Sequence, residues 1–328
     1  MIIKVKKLEL RISNVCSRNC IFCSEYNNRN KRNSFMEFKE IIEIIKSSKI
    51  NGIDHITFLG GEPTLHPNFS TILKISKKLG FKTQITTDGS TLSNYYYASK
   101  IIPYIDEICL SLHWDSPQLA EKITNNPFAF NETELALKNI SKMRSDKTFV
   151  MINTVIFTFN FERIEKIIKY GISNLYKIDK YLLSNLIPWG NGIKNYSKLS
   201  LKMSKIVNRL SNISSIFNKY NISWVIAGIP YCILGKKLWK YSNDLFYSVR
   251  NLISKERYNR RDNLLINEYL INSPLDQIKI KKCEKCAFKK ICSGVFNEYI
   301  KEYGNNEIKP FKNLPLDERM YYEIIRRK

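Results

Sequence analysis

Three cysteines near the amino end carry the strongest chemical signal in this chain. Cys16, Cys20 and Cys23 follow the apolar run Leu8 to Ile12 in the order Cys-x3-Cys-x2-Cys. Thiolates are soft ligands that suit iron–sulfur clusters and zinc. A loop this compact can hold three corners of a [4Fe-4S] cube and leave the fourth iron without a protein ligand. An open iron can bind a substrate or cofactor directly, so the triplet points to chemistry as well as structure. The alternatives are a zinc knuckle, which wants four ligands and finds no fourth Cys or His nearby in sequence, and scattered core cysteines.

A second motif stands one strand further on. Gly60-Gly61-Glu62-Pro63-Thr64 follows the strand-like run Ile56-Thr-Phe-Leu59, starting 37 residues after Cys23. Paired glycines let the backbone turn sharply and approach a ligand closely. Read alone, the motif is a glycine turn with a carboxylate beside it. Read with Cys16-Ser-Arg-Asn-Cys20-Ile-Phe-Cys23, it resembles the radical SAM superfamily, over roughly residues 5 to 230.

That resemblance implies roles for particular residues. Cys16, Cys20 and Cys23 would ligate the catalytic cluster, and Phe22 would lie against the adenine of S-adenosylmethionine (SAM). The Gly60, Gly61, Glu62 and Pro63 motif would meet the methionine amino group. Thr87-Asp88-Gly89 stands where the family often has Thr-Asn-Gly, so Asp88 is a departure. Ser111 and His113 take places where a Ser and an Asp are common near the ribose, so His113 is a second departure. Asn153 is a candidate ribose or carboxylate contact. For Asp88, Ser111, His113 and Asn153, barrel-lining polar residues are the equal alternative. The implied cofactors are a [4Fe-4S] cluster and SAM, cleaved reductively to a 5′-deoxyadenosyl radical. A low-potential donor such as flavodoxin or ferredoxin would supply the electron.

The tail repeats the theme. Cys283-Glu-Lys-Cys286-x5-Cys292 is similar to the centre of the SPASM and twitch auxiliary-cluster domains. The further cysteine of the full SPASM pattern is replaced by Phe296. Cys232, in Pro230-Tyr-Cys232, could complete a second, closed [4Fe-4S] site, or could be a buried free thiol. A four-cysteine zinc site is the competing reading. Cys109, on an apolar run, is read as core. His55 and His66 are read as loop or capping residues.

These groups need a scaffold. Strand runs are expected at Leu8–Ser13, Ile56–Leu59, Lys82–Thr86, Glu107–His113, Val150–Phe157, Leu175–Leu186 and Ser223–Ala227. Helical periodicity falls at Phe35–Lys46, Ser70–Leu79, Thr133–Met143, Phe161–Tyr170 and Ser200–Phe217. Alternating strand and helix implies an α/β fold with a parallel sheet. The expectation is a partial (β/α)6 TIM-type barrel over 1–228 and a small auxiliary-cluster domain over 229–328. The loops at the carboxyl ends of the strands then carry the site. A terminal helix is expected over Leu316 to Arg327.

Bulk composition adds limits. The chain has 328 residues, 44% hydrophobic, with eight cysteines and a formal charge of +23. No run of about 18–20 apolar residues exists to span a bilayer, and no signal peptide precedes the first strand. A cytoplasmic location follows, with cysteines that serve metals more than disulfides. The basic excess fits nucleic acid, an anionic surface, an acidic peptide or plain compositional drift. The expected activity is hydrogen abstraction from a peptide or protein. The alternatives are a small-molecule or cofactor-biosynthesis dehydrogenase or cyclase, tRNA modification, and a non-catalytic iron–sulfur protein that binds nucleic acid.

Overall fold

The computed structural model describes residues 7–25, 35–242, 255–259, 264–268, 277–290 and 292–313, the two short pieces 255–259 and 264–268 as backbone alone. Seven strands run parallel in sequence order: β1 (Lys7–Ser13), β2 (His55–Gly60), β3 (Lys82–Thr87), β4 (Glu107–Ser111), β5 (Phe149–Ile156), β6 (Lys180–Asn185) and β7 (Ser223–Ala227). The helices that return the chain are α1 (Phe38–Ile50), α2 (Phe69–Lys78), α3 (Tyr95–Ile101), α4 (Pro117–Thr124), α5 (Ala129–Met143), α6 (Ile164–Asn174), the short α7 (Asn191–Lys194) and α8 (Tyr196–Leu199), and α9 (Met203–Lys219). Strands and helices bury one continuous apolar core between them. Its sheet side includes Leu8, Leu10, Ile56, Phe58, Ile85, Ile108, Ile152 and Leu183.

The barrel is open. No pairing joins β1 to β7 among the described residues; β1 instead pairs in parallel with β8 (Lys255–Asn259), which pairs antiparallel with β9 (Leu264–Glu268). The sheet thus has seven parallel strands in its ordered run, one more than six units, and takes in two strands from beyond residue 228. After Gly228, α10 (Tyr231–Leu238) leads into the cysteine-rich tail, with the small hairpin β10 (Gln277–Ile278) and β11 (Val295–Phe296) and then α11 (Asn297–Tyr303).

Three sequence expectations need correction. The run Leu175–Leu186 is a strand only over β6. Helix α6 continues to Asn174, and Leu175 and Ile178 are buried by packing in the connection rather than by strand pairing. Strand β4 stops at Ser111 rather than His113, because the His113 imidazole takes the Val155 N–H (3.1 Å) as the chain leaves the sheet. His55 is not in a loop: it opens β2, is buried, and lies 3.7 Å from the Glu107 carboxylate. His66 does cap a turn, with Nδ1 accepting the Asn68 N–H at 3.1 Å. Cys109 is core. The Leu316–Arg327 helix lies outside the described residues.

The tail is fastened to the barrel by polar contacts at the start of α9. The Met203 N–H donates to the Tyr299 hydroxyl (2.9 Å), which itself donates to Glu307. Glu307 also accepts from Ser204, and the Ser200 and Tyr303 hydroxyls meet at 3.0 Å.

Candidate functional site

The carboxyl ends of the strands surround a cavity of about 330 Å³, within the roughly 300–1,000 Å³ usual for small-molecule sites. All three N-terminal cysteines line it. Their loop is held by backbone contact with the end of β2: Gly61 N–H donates to Ser13 O and Glu62 N–H to Val15 O, each at 2.7 Å. This contact explains the paired glycines. A Cβ at Gly60 would stand 2.1 Å from Ser13 O, and one at Gly61 2.4 Å from Val15 O. Gly61→Ala is therefore expected to destabilise the protein by about 3 kcal/mol, the upper range for overpacking, and to lower iron uptake at the loop. Iron content after anaerobic reconstitution and the denaturant midpoint check this.

The loop is also tied from two other directions. Asn19 and Ile21 donate their N–H groups to Thr124 O (2.8 Å) and Ile123 O (3.0 Å) at the end of α4. On the far side, Asn191 N–H donates to Cys23 O (2.8 Å), Asn191 Nδ2 to Cys20 O (3.0 Å) and Asn195 Nδ2 to Ile21 O (2.9 Å). Gly190, at φ +55°, admits this approach, since a Cβ there would sit 2.4 Å from Cys23 O.

Arg18 lies between the first two cysteines and is 1% exposed. Its guanidinium donates to Asp88 O (2.6 Å) and Thr133 Oγ1 (3.1 Å), faces Glu132 (3.4 Å) and lies over the Trp114 ring. Burial works against ionisation of Asp88, but Arg18 and the Ser90 hydrogen bonds outweigh it and hold the carboxyl below its ordinary range. Asp88 Oδ2 is 3.5 Å from Cys16 Sγ, a thiol donating to a carboxylate. Burial first, and Asp88 second, push the Cys16 thiol far up while no metal is bound.

The remaining sequence candidates divide. Gly60, Gly61, Phe22, Asp88, Ser111, His113 and Asn153 all line the cavity. Glu62 and Pro63 do not: Glu62 is fully buried behind the wall. Its carboxylate accepts from Thr64 N–H (3.1 Å), Thr87 Oγ1 (2.9 Å) and Asp88 N–H (2.7 Å), so it braces the β3 loop. Burial, then Asp88, push Glu62 up to about 8. Phe22 packs against His113 (centroids 4.7 Å) and Phe157 (5.1 Å). Asn153 Oδ1 accepts from Ser184 Oγ at 2.8 Å. Sequence reasoning missed Arg18, Asn191, Asn195 and Ser184. Only the turn-rich stretch Pro188-Trp-Gly-Asn-Gly192 hinted that a loop there had special backbone needs.

A second pocket gathers the other cysteines. Cys232, at the start of α10, lines it with Cys283, Cys286 and Cys292. Tyr231 and Phe288 line it and stack at 4.6 Å, and Phe311 packs edge-on against Phe288 at 5.3 Å. Burial, then the neighbouring Cys286, push the Cys232 thiol up to about 11. Four soft sulfur donors around one apolar pocket suit a closed iron–sulfur site.

An open parallel barrel with three sulfur donors on the first loop defines a class, and sequence comparison assigns it: residues 10–171 match the Radical SAM superfamily. Residues 10–171, which hold the cysteine loop and Gly60–Gly61, thus belong with that superfamily. Among curated relatives, it is 26% identical over 222 residues to the tungsten-containing aldehyde ferredoxin oxidoreductase cofactor-modifying protein of Pyrococcus furiosus. That match covers 64% of this chain and 60% of the relative. A probable GTP 3′,8-cyclase of Saccharolobus islandicus is 25% identical over 253 residues, 76% of this chain and 79% of the relative. Among solved structures, SuiB of Streptococcus suis bound to SAM matches with a TM-score of 0.65 and 19% identity, over 95% of this chain and 77% of that one. The SAM-bound anSMEcpe matches with a TM-score of 0.62 and 14% identity, over 98% and 96%.

Enzymes of this superfamily use a [4Fe-4S] cluster and SAM, and the first cavity fits both in donor chemistry and in size. The cysteine-rich tail pocket fits an auxiliary cluster. Among the described residues no helix is long and apolar enough to cross a membrane.

Proposed function

We propose that this enzyme removes a hydrogen atom from a peptide or protein, in a maturation-type modification. Cys16, Cys20 and Cys23 are the ligands of the catalytic cluster, and Cys232, Cys283, Cys286 and Cys292 those of the auxiliary one. The bound cluster and SAM supply a one-electron cleavage that yields methionine and a 5′-deoxyadenosyl radical; such hard chemistry belongs to the cofactor. The chain's own residues do the rest. Gly60 and Gly61 keep the wall bare beside the cysteine loop. Arg18, Asn191 and Asn195 fix the loop's carbonyls and charge. The barrel wall shields the reacting carbon from water. Arg11, Glu25, Ser184 and Asn185, which also line the cavity, are placed to orient a substrate.

The carrying observation is that Cys16, Cys20 and Cys23 line one cavity with Gly60 and Gly61 at the carboxyl end of the sheet. The peptide reading is supported by likeness of fold to SuiB and anSMEcpe across nearly the whole chain, tail included. Structures of these two have been solved with precursor peptide SuiA and with Kp18Cys peptide. A flavodoxin or ferredoxin remains the proposed electron donor. A second reading, cyclisation of a nucleotide, draws on the match to probable GTP 3′,8-cyclases. Two labelling experiments separate them. Under the peptide reading, a peptide substrate changes mass in the presence of SAM and dithionite, and 3′-deuterated GTP gives no deuterated 5′-deoxyadenosine. Deuterium arriving from GTP would favour the cyclase.

The four-thiol tail pocket makes a separate prediction. Cys232→Ala leaves three thiols and should make the auxiliary iron labile. Total iron is expected to fall from about eight towards about four after mild chelation, with SAM binding retained. Unchanged iron would remove Cys232 from the ligand set, and one zinc with about four irons in the wild type would assign the tail to zinc.

A further inference from the structure

The tail pocket is surrounded by lysines. Residues 279–290, which carry Cys283 and Cys286, hold six lysines and one acidic residue, Glu284. Lys279, Lys281, Lys282, Lys285, Lys289 and Lys290 are all exposed. Lys279 and Lys289 line the pocket beside the cysteines, and the Lys279 ammonium donates to Lys289 O at 2.8 Å. On the barrel, lysines meet acids: Lys77 pairs with Asp106, Lys82 with Glu107 and Lys138 with Glu134. Among the described residues no ion pair engages Lys279, Lys281, Lys282, Lys285 or Lys289. Compositional drift would spread the basic excess over the surface, whereas here it is gathered around one pocket. A concentrated field of one sign attracts a partner of the other.

The chemistry of these groups narrows the partner. Ammonium groups are point charges on flexible stems, suited to long-range attraction with little demand on geometry. The described residues between 277 and 313 include no arginine and no exposed aromatic ring. RNA-binding surfaces use those groups to fork onto phosphates and to stack on bases. Cys283, Cys286 and Cys292 are only half-buried, so a cluster held there lies near the surface. Electron transfer between proteins falls steeply with distance, and such encounters use small, transient interfaces. We propose that this lysine collar is the docking surface for an acidic one-electron carrier protein, which delivers its electron at the tail pocket. The inference rests on the reading that Cys232, Cys283, Cys286 and Cys292 hold an auxiliary cluster. In the transfer the carrier is oxidised by one electron and that cluster is reduced by one; no bond forms or breaks. The reductant thus has its place at a pocket that shares no lining residue with the barrel cavity.

The test pairs binding with turnover. Reconstituted full-length wild type and a variant carrying both Lys281→Glu and Lys285→Glu are titrated anaerobically with an acidic flavodoxin and with an acidic ferredoxin, at low and at physiological salt. Metal is counted in each. Formation of 5′-deoxyadenosine is then followed with the carrier and, separately, with dithionite, a small reductant that needs no docking. Wild type should bind one of the carriers, more weakly as salt rises. The variant should bind it about tenfold more weakly at low salt and turn over more slowly with it. With dithionite the variant should stay within about twofold of wild type, as expected for exposed substitutions. Wild-type binding to neither carrier, equal affinity in the two proteins, or an equal loss of turnover with carrier and dithionite would overturn the proposal. A short RNA that binds wild type more tightly than either carrier, and is lost in the same variant, would also overturn it and assign the collar to nucleic acid. Should the Glu variant load less iron, Lys281→Gln with Lys285→Gln removes the charge without reversing it, and wild-type affinity there overturns the proposal equally. A wild type whose tail holds zinc or no metal would refute the cluster reading itself, a distinct failure.

Discussion

Cys20→Ala is expected to abolish 5′-deoxyadenosine formation, with a fall of at least about 10³-fold against wild type in an anaerobic assay with SAM and dithionite. The loop from Cys16 to Cys23 supplies only three sulfur donors, and among the described residues no other thiol lines that cavity. Removing one thiol leaves two, too few to hold a cube. A barrier raised by about 4 kcal/mol already corresponds to a thousandfold loss. The tail pocket is built by other elements, so iron should fall by about half rather than vanish. A Cys20→Ala protein that keeps all its iron and still cleaves SAM would show that the triplet is not the catalytic ligand set.

Arg18→Met should have the next largest effect, on stability and loading together. The guanidinium is buried, and its partners are the Asp88 carbonyl and carboxylate, Thr133 and Glu132. Methionine fills much of the volume but leaves the Asp88 carboxylate without its main counter-charge. Breaking one side of a buried ion pair costs about 3–5 kcal/mol, far more than loss of a surface pair. Asp88 stands 3.5 Å from Cys16 sulfur, so its unbalanced charge would also oppose thiolate formation there. The expected outcome is a lower denaturant midpoint and poor iron uptake at the first site. The paired change Arg18→Met with Asp88→Asn should recover part of both. Equal stability of the single variant and wild type would mean that the buried charge is compensated elsewhere.

Much of this was legible in the sequence because period and spacing are local. The run Ser223–Ala227 was read to its exact ends, and β1, β2, β3 and β5 to within one residue at either end. Most are short apolar or alternating runs, while β3 is carried by Ile85 and the β-branched Thr83, Thr86 and Thr87. Leu175–Leu186 misled because a helix end and a strand start share the same apolar composition, and composition alone does not separate their periods. The cysteines and glycines of the site were legible as motifs. Arg18, Asn191 and Asn195 were not, since their roles depend on which carbonyls the fold brings near: Asn191 lies 171 residues from Cys20, whose carbonyl it caps. Glu62 illustrates the reverse. The motif singles it out, and only the fold shows that its carboxylate accepts hydrogen bonds from Thr64, Thr87 and Asp88.

Electron paramagnetic resonance tests the account most directly. The sample is dithionite-reduced protein in which Cys283 and Cys286 are both alanine, so that only the barrel site carries iron. Adding SAM should change the g-values and line shape, as expected if SAM would bind at an iron that the three thiols leave open. An identical spectrum with and without saturating SAM, from fully loaded protein, would contradict the assignment of Cys16, Cys20 and Cys23 as the three-cornered hold on a SAM-binding cluster.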